Sequence, residues 1–138
     1  MGSSHCFACG EENPIGLKLH FYTEGEDVVA EYLCQDNFVG WTGIQHGGIT
    51  ATLLDEISAY VPYFKGLVAV TAELTVSFVE PIRTGERITL RGTAIKENRK
   101  IIEVNAKIYN EQGHVKAHSH AKMMILSDKQ QEEMGVYR

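Results

Sequence analysis

The chain has 138 residues, is 43% hydrophobic and carries a formal net charge of −5 at neutral pH. That size and apolar content fit one globular domain over residues 1–138, with an N-terminal cap over about residues 1–16. An acidic balance gives no global attraction to nucleic acid or anionic lipid, no apolar run reaches the ~20 residues of a membrane-spanning helix, and the start lacks the basic and apolar regions of a signal peptide. The expectation is therefore a cytoplasmic protein that uses neither nucleic acid nor membrane as a partner.

In chain order, the N-terminal cap carries Cys6 and Cys9, and a third cysteine, Cys34, follows later. An odd count in a cytosolic chain argues against a disulfide framework. Leu17, Leu19 and Phe21 alternate with polar residues, Glu24-Gly25-Glu26-Asp27 reads as a turn, and Val28, Ala30 and Tyr32 alternate after it, so a hairpin is predicted from about Leu17 to Leu33. An irregular loop, rich in glycine and aromatic residues, spans Gln35 to Gln45. From His46 to about Val61 the apolar residues Ile49, Leu53, Ile57 and Val61 recur at helical spacing, and Pro62 and Gly66 close the helix. The remainder alternates with period two. Ala72, Leu74, Val76 and Phe78 form one row, broken by Pro81 to Gly85. Ile88, Leu90 and Ala94 form a second row, and Glu97-Asn98-Arg99-Lys100 is a turn. Ile102, Val104, Ala106 and Ile108 form a third row, Asn110-Glu111-Gln112-Gly113 is a hairpin turn, and a last strand runs from His114 to Leu126. The order β-β-α-β-β-β-β is an α+β architecture: one long central helix wrapped by a curved antiparallel sheet of about five to six strands.

The helix start is where the chemistry concentrates. Glycines Gly47 and Gly48 open the helix after His46, and a helix start exposes backbone N–H groups without intrahelical partners, suited to a developing oxyanion. Asp55 lies opposite the apolar stripe among Ala51, Thr52, Ser58 and Ala59. A face of small residues points to close approach by a second subunit, with Asp55 in the seam as candidate acid and Glu56, between the two faces, as the alternative carboxylate. His46 fits a residue whose local hydrogen bonds fix the loop.

On the last strand His114, Lys116, His118, His120 and Lys122 take alternate positions and so share a face. Arg83, Arg99 and Lys100 lie in turns. These cations form either a solvated outer face or a binding surface for phosphates. Cys6-x-x-Cys9 has the spacing of a metal knuckle, with His5 or Cys34 as possible further ligands. No second Cys-x-x-Cys exists and a structural zinc needs four ligands, so no metal is expected, and the pair reads as two reduced thiols in the cap, with Phe7 and Pro14 lining or covering a substrate channel.

His46-Gly47-Gly48, Asp55 nine positions after the histidine, and a strand ending Phe78-Val79-Glu80-Pro81 resemble the hotdog-fold acyl-CoA thioesterases, in particular the phenylacetate-type branch related to the 4-hydroxybenzoyl-CoA thioesterases. The opening Cys6-Phe7-Ala8-Cys9-Gly10 with Asn13-Pro14-Ile15-Gly16-Leu17 resembles the start of many members, and the similarity covers roughly Cys6 to Leu126. The resemblance implies a homodimer, often a dimer of dimers, with sites between subunits. It implies Asp55 as nucleophile or general base toward an acyl-CoA thioester, the N–H of Gly47 or Gly48 from the other subunit as oxyanion donor, His46 shaping that turn, and Thr71 orienting water. Coenzyme A is then part of the substrate and no separate cofactor is implied. Arg83, Arg99, Lys100, His118 and His120 are the candidate contacts for its phosphates.

The chain departs from that pattern in two ways. Many members carry Asn six positions before the histidine, where this chain has Gly40; Gln45 or a backbone group is the possible replacement. Thr71 falls on the polar row, so its approach to Asp55 requires an irregularity at the start of its strand. A non-catalytic acyl-CoA-binding module is the alternative function. An enoyl-CoA hydratase fits less well, since that branch pairs Asp and His about five residues apart.

Overall fold

The computed structural model describes residues 1–137. Six strands, β1 (Tyr22–Glu24), β2 (Asp27–Leu33), β3 (Ala69–Phe78), β4 (Arg87–Glu97), β5 (Ile101–Asn110) and β6 (Val115–Ile125), form one antiparallel sheet in the order β1-β2-β4-β5-β6-β3. Helix α1 (Gly47–Phe64) lies across it and packs on β2, β3, β4, β5 and β6. This is the helix-in-curved-sheet layout expected from the alternation of apolar rows.

The core forms where those rows meet the helix. Leu53, Leu54 and Ile57 of α1 are fully buried, as are Leu90, Ile102, Val104 and Ile108 of the sheet. Fully burying each such side chain stabilises the fold by about 1.5–3 kcal/mol. Gly92, between the predicted inward residues Leu90 and Ala94, is where helix and strand approach closely. A Cβ there would stand 3.1 Å from Val61 Cγ2 and 3.2 Å from Ile57 Cγ1, so a side chain would force the two elements apart. Ser58, grouped by helical spacing with Asp55, is instead fully buried, its hydroxyl donating 2.7 Å to the Leu54 carbonyl.

Several boundaries differ from those predicted. The hairpin is shorter at its first arm. Lys18 adopts φ 54° and breaks the extended run, and the N–H groups of Leu17 and Leu19 donate to Phe7 and Ala8 carbonyls of the cap instead of to a strand. Both leucines are buried nonetheless. Helix α1 continues past Pro62 to Phe64, because a proline removes one intrahelical bond without preventing a final turn. Gly66, at φ 81°, and the Leu67 N–H donating to the Pro62 carbonyl end it. After β6 comes a helix that strand periodicity did not reveal, α2 (Asp128–Met134). Its signals are in the sequence: Ser127 and Gln130 form a capping box and Gly135 takes the left-handed closing position.

Strand β3 forms one border of the sheet, pairing only with β6. Thr71, Ala72, Glu73, Thr75, Ser77 and Phe78 along it are exposed in the single chain. No helix among the described residues is long and apolar enough to cross a membrane.

Candidate active site

The helix start is built by His46. As N-cap residue its Nδ1 accepts the Gly48 N–H at 2.8 Å, while its carbonyl takes the N–H groups of Ile49 and Thr50. Its own N–H donates to the Phe38 carbonyl, and its ring packs on Gly40, where a Cβ would lie 3.4 Å from Cδ2. The Gly48 N–H is thus committed inside the chain. The Gly47 N–H has no hydrogen-bond partner among the described residues, and Gly47 is exposed. The two glycines differ sterically as well. A Cβ on Gly48 would sit 3.0 Å from His46 Nδ1, whereas one on Gly47 would meet only the Phe78 ring at an ordinary 3.5 Å. Beside Gly47 is an open recess of about 310 Å³ lined by Trp41, Ile44, Thr50, Phe78, Val79 and Ile82 among others. Trp41 and Phe78 are 80% and 61% exposed, a large apolar surface on a single chain.

Two turns along α1, Asp55 is half-buried and accepts a 2.7 Å hydrogen bond at Oδ1 from Thr71 Oγ1. The required irregularity is present. The β3–β6 register shifts between Thr71 and Glu73, so a bulge at Ala72 carries Thr71 off its expected row and toward the helix. At 1.5 Å rise per residue, Gly47 and Asp55 stand about 12 Å apart along the helix axis. The carboxylate and the glycine N–H of one chain therefore cannot meet on one carbonyl group.

Gln45, the replacement suggested for the missing asparagine, lines the recess beside Gly47, with its amide N–H committed inside the chain. Gln45 is 5% exposed and its Nε2 donates 2.8 Å to Thr50 Oγ1. Glu56 is not a second carboxylate of this site. It faces the N-terminal cap, where Cys6 Sγ lies 3.6 Å from its Oε2. Burial raises its carboxyl pKa above the ordinary value, and the neighbouring Asp55 charge adds to this. Burial likewise pushes the Cys9 thiol up to about 12. His5 bonds Ser4 at the surface and Cys34 is buried elsewhere, so neither joins the cysteine pair.

Of the cationic row, His118, His120 and Lys122 keep alternate positions on one face, while Lys116 and His114 leave it. The β5–β6 register slips between Ile108 and Tyr109, leaving Lys116 as the extra residue. The slip turns Lys116 inward, where its Nζ reaches Glu86 at 3.2 Å, Glu80 at 3.6 Å and the Pro81 carbonyl at 3.0 Å. His120 Nε2 is 2.9 Å from Glu103, and His114 lies in the hairpin turn, its N–H on Asn110 Oδ1. His118 and His120 share a shallow groove with Thr75, Ser77 and Asn105. Arg99 and Lys100 line a different hollow with Met124, Leu126 and Gln130. Arg83 is in the β3–β4 loop, bridged to Ile44 beside the Gly47 recess. The five candidate phosphate contacts thus occupy three separate places. Phe7 and Pro14 do line a cavity, of about 630 Å³, together with Leu17, Asn37 and Phe38, and neither Asp55 nor Gly47 borders it.

Residues 42–117 match the sequence pattern of the Thioesterase superfamily, a stretch that contains the helix start, Asp55 and Thr71. Among curated proteins the chain is similar to acyl-coenzyme A thioesterase 13 of Mus musculus, 25% identical over 87 residues, and to its Homo sapiens counterpart, 26% identical over 85 residues. The matches span 62% and 60% of this chain and 62% and 61% of those proteins, less than two thirds of their length. Among solved structures it is similar to a Streptococcus mutans protein bound to acetyl CoA, with TM-score 0.75, 22% identity and 79% and 89% of the two chains covered. It is also similar to the Escherichia coli PaaI protein from the phenylacetic acid degradation operon, with TM-score 0.76, 20% identity and 80% and 81% covered. These structural likenesses establish a shared hotdog fold. Because the family pattern covers more than half of the chain and contains the capped diglycine turn and the helix aspartate, this protein belongs to the thioesterase superfamily.

Proposed function

We propose that the protein hydrolyses an acyl-CoA thioester to a free acid and coenzyme A, at sites shared between two copies of the chain. The observation that carries this reading is the Thr71–Asp55 hydrogen bond on a helix whose unpartnered glycine N–H is about 12 Å away. An acid and an oxyanion donor that cannot cooperate within one chain cooperate when a second chain supplies one of them. A homodimer, or a dimer of such dimers, is the assembly that this reading requires. Two solved variants of a hypothetical thioesterase from Streptococcus pneumoniae replace an aspartate and a threonine sixteen residues apart by alanine, the same separation as Asp55 and Thr71, which supports giving this pair functional weight.

In the proposed reaction the acyl chain enters the apolar recess beside Gly47. Thr71 fixes Asp55 by donating to Oδ1, leaving Oδ2 to remove a proton from water as the water oxygen attacks the thioester carbonyl carbon. The carbonyl oxygen gains negative charge, which the Gly47 N–H of the second chain stabilises along with the positive end of its helix. The C–S bond then breaks, and the departing sulfur takes the proton held by Asp55. His46 acts by position: capping Gly48 holds the turn in which the Gly47 N–H is free. Of the dispersed cations, Arg83 is assigned to the coenzyme A phosphates, since its loop adjoins the recess.

A panel of aromatic and medium-chain acyl-CoA substrates, with release of the coenzyme A thiol as readout, tests this. Wild type turns over at least one class, and Asp55→Ala lowers kcat by on the order of 10²–10⁴-fold. Tight binding of acyl-CoA by wild type with no thiol released would select the binding-module alternative. Hydration of crotonyl-CoA would select the hydratase.

A further inference from the structure

We propose that Cys6, Cys9 and Glu56 form a binding site for a thiophilic divalent cation, of which zinc is the best match, and that the ion clips the N-terminal cap to helix α1. Cysteine spacing alone does not reach this, because the third ligand is fifty residues away and is a carboxylate. The fold brings Sγ of Cys6, Sγ of Cys9 and a carboxylate oxygen of Glu56 within 4.8 Å of one another. Two ligands of a tetrahedral zinc, one at a Zn–S distance of about 2.3 Å and one at a Zn–O distance of about 2.0 Å, stand about 3.5 Å apart. Cys6 Sγ and Glu56 Oε2 stand 3.6 Å apart. All three residues are half-buried, so an ion held there is shielded yet reachable.

The loop that presents the sulfurs has the build of a metal knuckle. The Cys9 N–H points at Cys6 Sγ at 3.4 Å, an interaction that strengthens when the sulfur is a thiolate. The Gly10 N–H donates to the Cys6 carbonyl at 2.9 Å, closing the loop tightly. A Cβ at residue 10 would lie 2.4 Å from the Cys6 nitrogen and 2.4 Å from the Ser4 carbonyl oxygen. Only glycine fits, and the sequence Cys-x-x-Cys-Gly follows from that geometry. Two soft thiolates with one carboxylate suit zinc in preference to magnesium or calcium, which take oxygen ligands. Three protein ligands leave the fourth place to water.

Binding is a proton exchange without redox change. The two S–H protons, now directed at the Glu56 carboxylate and the Met1 carbonyl, leave to solvent as two S–metal bonds and one O–metal bond form. The cap up to Phe21 contains no helix or strand. It is held by Ala8, Leu17 and Leu19 in the core, and an ion anchored on α1 adds its binding free energy to that of folding. This site is separate from the thioesterase reading: Glu56 meets Cys6 while Thr71 bonds Asp55, and neither proposal requires the other.

The test uses the full chain, reduced, stripped with chelator and titrated with cobalt(II) and then zinc. One cobalt binds per chain with a thiolate-to-cobalt charge-transfer band, and zinc displaces it. Cys6→Ser and Cys9→Ser lose the band, Glu56→Gln binds at least tenfold more weakly, and Cys34→Ser titrates as wild type. Zinc raises the Tm of wild type and not that of Cys9→Ser. Absence of a charge-transfer band in wild type whose thiols are counted as reduced and whose circular dichroism is native overturns the proposal. So does a band unchanged in Cys9→Ser, or a Glu56→Gln protein with wild-type affinity. The wild-type titration decides even where a serine variant does not fold.

Discussion

Thr71 reaches Asp55 because strand β3 bulges one residue later: the hydroxyl donates 2.7 Å to Oδ1, and the register with β6 shifts between Thr71 and Glu73. A hydrogen bond to a charged group contributes about 1.5–3 kcal/mol. Thr71→Val should therefore lower kcat of the proposed hydrolysis by roughly 10–100-fold, while Thr71→Ser, which keeps the hydroxyl, restores most of it. Thermal unfolding should separate the two variants by less than the full value of that bond, since residue 71 is exposed in the single chain. Equal losses in both would show that the bulge itself, and not the hydroxyl, matters.

Gly47 and Gly48 are adjacent but should respond differently to alanine. At Gly48 the new methyl would press on His46 Nδ1 at 3.0 Å and disturb the cap, costing about 1 kcal/mol of stability. At Gly47 the methyl has ordinary contacts with Phe78, and alanine is the better helix former, so Tm should hold or rise. Activity should nonetheless fall by on the order of 10²-fold for Gly47→Ala, because the added carbon covers the one N–H that His46 leaves free. Parallel melting curves and kcat values check this dissociation.

Lys116, which lines the recess beside Gly47, should prove to hold the fold together through its ion pairs. Its side chain is 10% exposed, between Glu86, Glu80 and the Pro81 carbonyl. Lys116→Ala leaves Glu86 without its partner and should cost about 3 kcal/mol, measured by urea unfolding. Lys116→Met, which keeps the aliphatic stem, should cost less.

Tyr32 gives the fold a dependence on alkaline pH. Burial, then the nearby Cys34, raises its hydroxyl from the usual 10.0 to about 12. The native state thus keeps a proton that the unfolded chain releases above pH 10, so the contribution of this group is complete below that pH and is lost as pH rises toward 12. The hydroxyl also has no hydrogen-bond partner among the described residues. Tyr32→Phe should raise stability by about 1 kcal/mol at neutral pH and flatten the fall in Tm between pH 10 and 12. A drop in stability at neutral pH would mean that the hydroxyl is hydrogen-bonded in solution.

Legibility in the sequence followed the range of the forces involved. The row Ile102, Val104, Ala106 and Ile108, and Leu53, Ile57 and Val61 of the helix stripe, are buried as their periodicity predicts, because a period reports one face against one core. Ile49 at the helix start is only half-buried, and of the predicted row on β3 Leu74 and Val76 are half-buried while Ala72 and Phe78 are exposed, because that strand borders the sheet. Leu54 lies just off the helix stripe, yet it is fully buried under a sheet that curves around the helix. Asp55 and the diglycine turn were readable from spacing. The approach of Thr71 was readable only as a requirement, because a bulge depends on pairing with a strand about fifty residues later. The same kind of slip, at Lys116, removed a cation from an apparent row. Nothing in the spacing of Cys6 and Cys9 announced Glu56, whose arrival depends on how the cap folds over α1.

The border strand β3 carries a consequence for handling the protein. Ten residues of extended chain pair on one side only, and a long exposed edge of this kind is a template for unwanted strand addition. If assembly shields it, dilution and folding are linked, and a separated protomer is a short-lived, adhesive species. Yield and shelf life should then improve with protein concentration over the range in which copies associate, the reverse of ordinary colloidal behaviour. A charged residue introduced at Ser77 to keep copies apart should give turbid and not monomeric solutions.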